Sequence, residues 1–197
     1  MALSSSGTVV GLSRIYVDSR AGGANADGSA SKPFDTFAEA LEAIPDVSDE
    51  SSIGNMILRM RTIVVSGNVG DITVDKPVAI ENTTGIIGTL TCTAPMLMVT
   101  GGFITALDLT ETSDARIQNT AITDVTLDDA SATFAGCVIG TITLEGSVGG
   151  DLAVMNSLIS EELTVPAEYM ATAYSSVCMS GVVGTIADYN SGVDNGT

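Results

Sequence analysis

The chain has no histidine and no tryptophan, and its 197 residues include only seven lysines and arginines. Each scarcity removes a class of function. Without histidine, and with no Cys-x-x-Cys pair, a zinc site has nothing to assemble from. Cys92, Cys137 and Cys178 are odd in number and stand 45 and 41 residues apart, so they read as small buried hydrophobes. Seven cations face 24 Asp and Glu, a formal charge of −17. Nucleic-acid affinity rests on neutralising phosphates with cations, so nucleic acid and anionic membrane are poor partners. The apolar stretches are too short and too interrupted to span a bilayer. Met1-Ala2-Leu3-Ser4-Ser5-Ser6-Gly7 has no basic and no apolar region of the kind that makes a secretory signal, and none is expected. Asn82-Thr83-Thr84 and Asn195-Gly196-Thr197 match the glycosylation sequon and, without a signal, are taken as chance matches.

What remains is apolar enough to fold. Hydrophobic residues make up 45% of the chain and charged residues 16%, and the length suits one domain with its own core. Short triads with an apolar-polar-apolar pattern recur as Ile72-Thr73-Val74, Leu90-Thr91-Cys92, Leu107-Asp108-Leu109, Val125-Thr126-Leu127, Ile142-Thr143-Leu144 and Leu163-Thr164-Val165. Their centres step by 18, 17, 18, 17 and 21 residues. A second column, Ile80, Met98, Ile117, Phe134, Met155 and Tyr174, keeps pace at 18, 19, 17, 21 and 19. Between the columns lie Asn82, Gly101-Gly102, Asn119, Gly136 and Asn156-Ser157, residues suited to tight bends.

A fixed period near 20 residues marks a repeat architecture. Helices are excluded because β-branched residues crowd the triads and the apolar positions alternate with period two. An antiparallel sandwich also has short strands and regular turns, but two columns in register favour coils that stack strand on equivalent strand. The expected fold is all-β, a single parallel β-helix of about seven short coils, on the order of 35 Å tall at ~4.8 Å per coil. Arg14 to Asp18 reads as a strand, Ala21 to Ser31 as a Gly-rich loop, and Thr36 to Ile44 as a short amphipathic helix with Phe37, Leu41 and Ile44 on one face. Thr36-x-x-Glu39 forms a capping box and Pro45 stands past the end. The chain thus divides into an N-terminal arm (1–13), a cap (14–60), the solenoid (61–188) and a C-terminal tail (189–197).

Ile15-Tyr16-Val17-Asp18, then Gly23-Ala24-Asn25-Ala26-Asp27-Gly28-Ser29, then Lys32-Pro33-Phe34-Asp35-Thr36-Phe37 and Ala40-Leu41 resemble the N-terminal signature of the pectin-lyase-like right-handed parallel β-helix superfamily. Thr62 to Gly67 followed by Ile72 to Val78 resembles that superfamily's first complete coil. The motif likeness covers residues 14 to about 80, and the rest follows by repeat pattern. Right-handedness is what the resemblance implies. The superfamily includes polysaccharide lyases and hydrolases, tailspikes, adhesins and structural virion proteins, so fold alone does not name the chemistry.

Enzymes of the pectate-lyase type need calcium-binding Asp and a basic residue on one outer face, yet after Lys76 the chain has one basic residue, Arg116. Glycosidases use paired carboxylates, about 5 to 9.5 Å apart. Asp108 with Asp128 or Asp129, and Glu145 with Glu161 or Glu162, are the pairs that adjacent coils bring within reach, and a solvated acidic face is the plainer reading. Asn25-x-Asp27-Gly28 resembles positions three, five and six of a calcium loop, but Gly23 and Phe34 fall at positions one and twelve, so turn formation is expected there. No catalytic set, metal site or cofactor site is expected.

The centres of the triads, Thr73, Thr91, Asp108, Thr126, Thr143 and Thr164, should project outward and form the candidate interaction face. Few coils, short loops, polar terminal arms and no catalytic constellation point to a non-enzymatic virion structural protein, a capsid decoration or cement protein of a tailed virus. Its expected partners are its own copies, in a homo-oligomer such as a trimer, and a major capsid or other virion protein. A tailspike- or adhesin-like glycan-binding β-helix, in the tail or on a cell surface, is the alternative. Ice binding through the threonines is a distant third, because Asp108 breaks the array.

Overall fold

The computed structural model describes residues 14–21, 25–45, 60–112, 114–189 and 192–195. The arm at 1–13, Gly23 of the calcium-like loop and the last two residues lie outside them. The fold begins with strand β1 (Arg14–Asp18) and helix α1 (Phe37–Glu42). Six coils then give one strand to each of two sheets: β2 (Arg61–Ser66) and β3 (Asn68–Val74), β4 (Val78–Asn82) and β5 (Ile86–Cys92), β6 (Met96–Thr100) and β7 (Phe103–Thr110), β8 (Asp114–Gln118) and β9 (Ala121–Asp128), β10 (Ala132–Ala135) and β11 (Val138–Glu145), and β12 (Asp151–Met155) with the split pair β13 (Leu158–Ile159) and β14 (Leu163–Val165). A seventh coil, β15 (Met170–Tyr174) and β16 (Val177–Gly184), is followed by β17 (Ile186–Tyr189) and β18 (Gly192–Asn195). Every pairing in the ladder is parallel, and the first sheet runs β1-β2-β4-β6-β8-β10-β12-β15-β17. The chain is a parallel β-solenoid, as the repeat requires, and its ladder continues past residue 188 because β18 pairs with β16.

Strands of the second sheet are bent. Along β7, Ile104 and Leu107 are both buried, with Thr105 exposed and Ala106 half-buried between them. A flat strand would put residues three apart on opposite faces, so two inward residues at that spacing mean that the strand turns a corner. Ile87 and Leu90, Ile122 and Val125, and Ile139 and Ile142 repeat the arrangement. Each coil therefore has three sides around one continuous apolar core.

The first five triads lie in the predicted register, and in all six the outward residue stands between two buried ones. The second column needs correcting at three of its six positions. Ile80 stacks on Val99, Val99 on Ile117, Phe134 on Val154 and Val154 on Ala173. Met98, Met155 and Tyr174 are each one residue out of phase and face outward, half-buried or exposed. A one-residue slip moves a side chain to the other face of the strand.

Between the two sheets runs a corner that is nearly the same in the last five coils. Gly101, Asn119, Gly136, Asn156 and Ser175 stack there with φ of 79, 52, 66, 49 and 49°, the left-handed region that Gly and Asn enter most readily. After all but Gly101 the next residue points into the core and is small: Thr120, Cys137, Ser157 and Ser176 are all buried. The hydroxyls satisfy backbone groups that the bend frees. Ser157 Oγ accepts the Cys137 N–H at 3.0 Å and donates to the Met155 carbonyl at 2.8 Å. Ser176 Oγ accepts the Ser157 N–H at 3.3 Å and donates to the Val154 carbonyl at 2.9 Å.

The N-terminal end is closed by residues of the cap. The Thr36 hydroxyl accepts the Glu39 N–H at 3.3 Å and the Glu39 carboxylate accepts the Thr36 N–H at 3.1 Å, which completes the capping box. Phe37, Ala40, Leu41 and Ile44 plug the core, and Lys76 Nζ donates to the Ile44 carbonyl at 3.0 Å just past the helix end. The helix is shorter than predicted, with Thr36 as its N-cap and Ala43 as its C-cap. Strand β1 is an edge, and the loop that follows it supplies a partner: Phe34 N–H donates to Tyr16 O at 2.9 Å and Asp18 N–H to Phe34 O at 3.0 Å. Covering an edge strand in this way removes a template for aggregation.

Replacing Ser157 by Ala leaves the buried Cys137 N–H without its acceptor. The expected loss is about 1–3 kcal/mol, against less than about 0.5 for the outward Thr143→Ala. Urea unfolding should show the difference as a lower midpoint at unchanged slope.

Candidate functional site

The face predicted from the triad centres is present. Thr73 pairs with Thr91, Thr91 with Asp108, Asp108 with Thr126, and Thr126 with Thr143, one directly above the next. All five side chains are exposed or half-buried while their neighbours in sequence are buried. Thr164 also points outward, but it pairs onward with Val183. Its coil carries extra residues at Glu161 and Glu162, so the strand is split before Leu163. The ladder is therefore five residues in strict register with Thr164 beyond it. The array presents the methyl and hydroxyl groups of four threonines and the Asp108 carboxylate on a sheet in which β5, β7 and β9 are paired on both sides and β3 is the edge strand.

The carboxylate pairs are arranged differently from expectation. Asp128 stacks on Thr110 below and Glu145 above, so Asp108 lies two residues along the neighbouring strand and has no acid directly over it. Glu161 N–H donates to the Gly140 carbonyl at 3.0 Å, which places Glu161 at the bend, the opposite end of β11 from Glu145. Among the strand pairings of the described residues, the acidic pair in direct register is Asp128 with Glu145.

Other acids are engaged locally. Asp129 Oδ1 accepts the N–H groups of Val148 and Gly149 at 2.7 and 2.8 Å, and these bonds hold its pKa below the usual carboxylate range. Asp124 accepts from the Thr141 hydroxyl at 2.6 Å, and Asp71 from the Thr89 N–H at 2.7 Å. Arg116 pairs with Asp114 through two nitrogens, at 2.9 and 2.7 Å, and Arg14 pairs with Glu81. The loop that Asp129 organises is locked further by Tyr169. Its hydroxyl stands 2.9 Å from the carbonyls of both Leu127 and Glu145 and accepts the Ala130 N–H at 3.4 Å, and burial pushes its pKa up.

In the calcium-like loop, Asp27 accepts the Ser29 N–H at 3.0 Å and Asn25 has φ of 86°, so both residues serve the turn. Cys92, Cys137 and Cys178 are free and buried, and burial raises the pKa of the first two. Asn82 is buried at the corner of its coil, accepting the Gly85 N–H at 2.8 Å and donating to the Phe103 carbonyl at 3.4 Å, which closes that sequon to glycosylation. A cleft of about 650 Å³ opens between α1 and β3, lined by Phe37, Leu41, Val69, Asp71, Asp75 and Lys76 among others. It contains Thr73, at the foot of the threonine ladder, and none of the stacked acids.

One surface feature escaped the sequence reading. Ile86, Phe103, Ala121, Val138, Leu158 and Val177 form a third registered column, pairing in that order at the start of the bent strands. They face outward. The signal was available, since Ile86, Phe103, Ala121 and Val138 each stand five residues ahead of a triad centre.

Asp129 links this site to pH. Its folded pKa is depressed, so the stability it supplies is present above the unfolded pKa, about 3.9, and is lost as pH falls through the lower folded value. Asp129→Asn should therefore be less stable than the parent at pH 7, and the gap should narrow below about pH 4 in paired urea titrations.

Comparison with known proteins finds no matching family model, no matching curated protein and no matching solved structure.

Proposed function

We propose that the chain is a non-enzymatic structural protein of a virion. In this reading it is a decoration or cement protein on the capsid of a tailed virus, and it works as a homo-oligomer that lays its threonine face against a major capsid protein. The observation that carries the proposal is the strict register of Thr73, Thr91, Asp108, Thr126 and Thr143 on a continuously paired sheet. A parallel ladder resists bending because its inner strands are each fixed on two sides, which suits a buttress. The same reading takes the solenoid to be right-handed and of the pectin-lyase-like superfamily, where structural virion proteins share the fold with enzymes.

Three further features support it. Of the carboxylates that a glycosidase would use, Asp129 is engaged with backbone N–H groups, Asp108 has Thr126 above it, and Asp128 with Glu145 is the pair left in direct register. The single basic residue after Lys76 is paired with Asp114. The acidic surface keeps a densely displayed protein soluble and complements a basic patch on a shell. Docking would stabilise the shell by mass action, about 2.7 kcal/mol per site at 100 times Kd.

Shells stripped of the protein should lose heat resistance and regain it when the protein is added back, and Thr126→Arg should restore less of it. Unchanged shell stability would count against the proposal. On a glycan array, specific binding that disappears in Asp108→Ala would replace it with host recognition.

A further inference from the structure

We infer that copies of this chain associate with one another through an uncharged strip along the left-handed corner, centred on the column Ile86, Phe103, Ala121, Val138, Leu158 and Val177. The inference deepens the homo-oligomer in the proposal above by naming its contact face, which is separate from the threonine ladder.

Exposure is the first observation. Ile86, Phe103, Val138 and Val177 are 48, 39, 52 and 45% exposed, and Met179, two residues past Val177 on the same strand, is 68% exposed. Among the described residues, most of the large apolar side chains left in solvent gather on this one edge. Single exposed hydrophobes need no explanation, but a contiguous row does. Here the row is enforced by register, because each member pairs directly with the next.

Charge is the second. The runs 82–107, 117–123, 130–144, 152–160 and 169–187 contain no Asp, Glu, Lys or Arg, and each crosses the corner. A chain with formal charge −17 has therefore placed its acids elsewhere in every one of these coils. Asp108, Asp128 and Glu145 stand at the far end of the bent strands, and Asp124 at the bend. This segregation selects the occupant. A cationic partner would find no counter-charge on the strip, whereas a second copy, repelled by every acidic face, meets least repulsion there.

Size is the third. Six coils at ~4.8 Å and about five residues along each at ~3.3 Å give a flat footprint of about 475 Å². Side chains standing out from that plane raise the accessible area toward the about 800 Å² per partner of a stable interface. The corner itself is rigid, held by the buried Thr120, Ser157 and Ser176, so little ordering opposes association.

Sedimentation equilibrium of the intact protein tests the inference. The parent should form an oligomer whose dissociation constant falls as salt rises from about 0.02 to about 0.5 M, because screening weakens the repulsion between copies. Phe103→Glu with Val138→Glu should weaken association at least about tenfold with circular dichroism unchanged, while Thr126→Glu on the other face should not. A parent that stays monomeric, a dissociation constant that rises with salt, or a double variant that associates as the parent does would each overturn the inference. Should the double variant unfold, Val138→Glu alone and the parent's salt series decide in the same way. A monomeric parent that still stabilises shells would sink this inference and leave the proposed function standing.

Discussion

Everything in this molecule depends on in-register parallel stacking. Each residue sits about 4.8 Å from its equivalent in the next coil, so whatever one coil places at a position is repeated as a column. A side chain must then be compatible with near copies of itself above and below. Apolar columns satisfy that condition inside, threonine columns outside, and small hydroxyls at the corner. A column of acids does not, and Glu145 above Asp128 is the one direct stack of the candidate carboxylates. The scarcity of such stacks follows from the architecture before any function is considered.

The same constraint explains how much was legible. The triads announced themselves because β-branched and apolar residues alternate around a polar centre at nearly constant spacing, and that was enough for fold class, coil count and the outward face. The cap was legible for a local reason, since Thr36 and Glu39 close their box within one helical turn.

The second column was placed wrongly at Met98, Met155 and Tyr174 because the turn leading into it changes length. From a triad centre to the inward residue of the next first-sheet strand, the distance runs from 7 to 11 residues. On the other side the spacing settles early: it is six residues from Ile80 to Ile86, and from Val99, Ile117, Phe134, Val154 and Ala173 to the outward apolar column it is four every time. Counting from the corner instead of the triad gives the correct phase and exposes the third column too. The carboxylates were harder to place because partners such as the Val148 and Gly149 amides are contributed by a loop one coil away, and no local pattern announces them.

That asymmetry between the two turns has a consequence for how the protein can change. The corner built on Gly101, Asn119, Gly136, Asn156 and Ser175 behaves as a spine, where one inserted residue would shift every coil beyond it relative to those before. The opposite edge already accommodates different lengths, including the loop pinned by Asp129 and Tyr169. New segments, whether acquired by evolution or grafted by an engineer, belong on that edge, where they would project like flags from one side of a pole whose other side is kept straight.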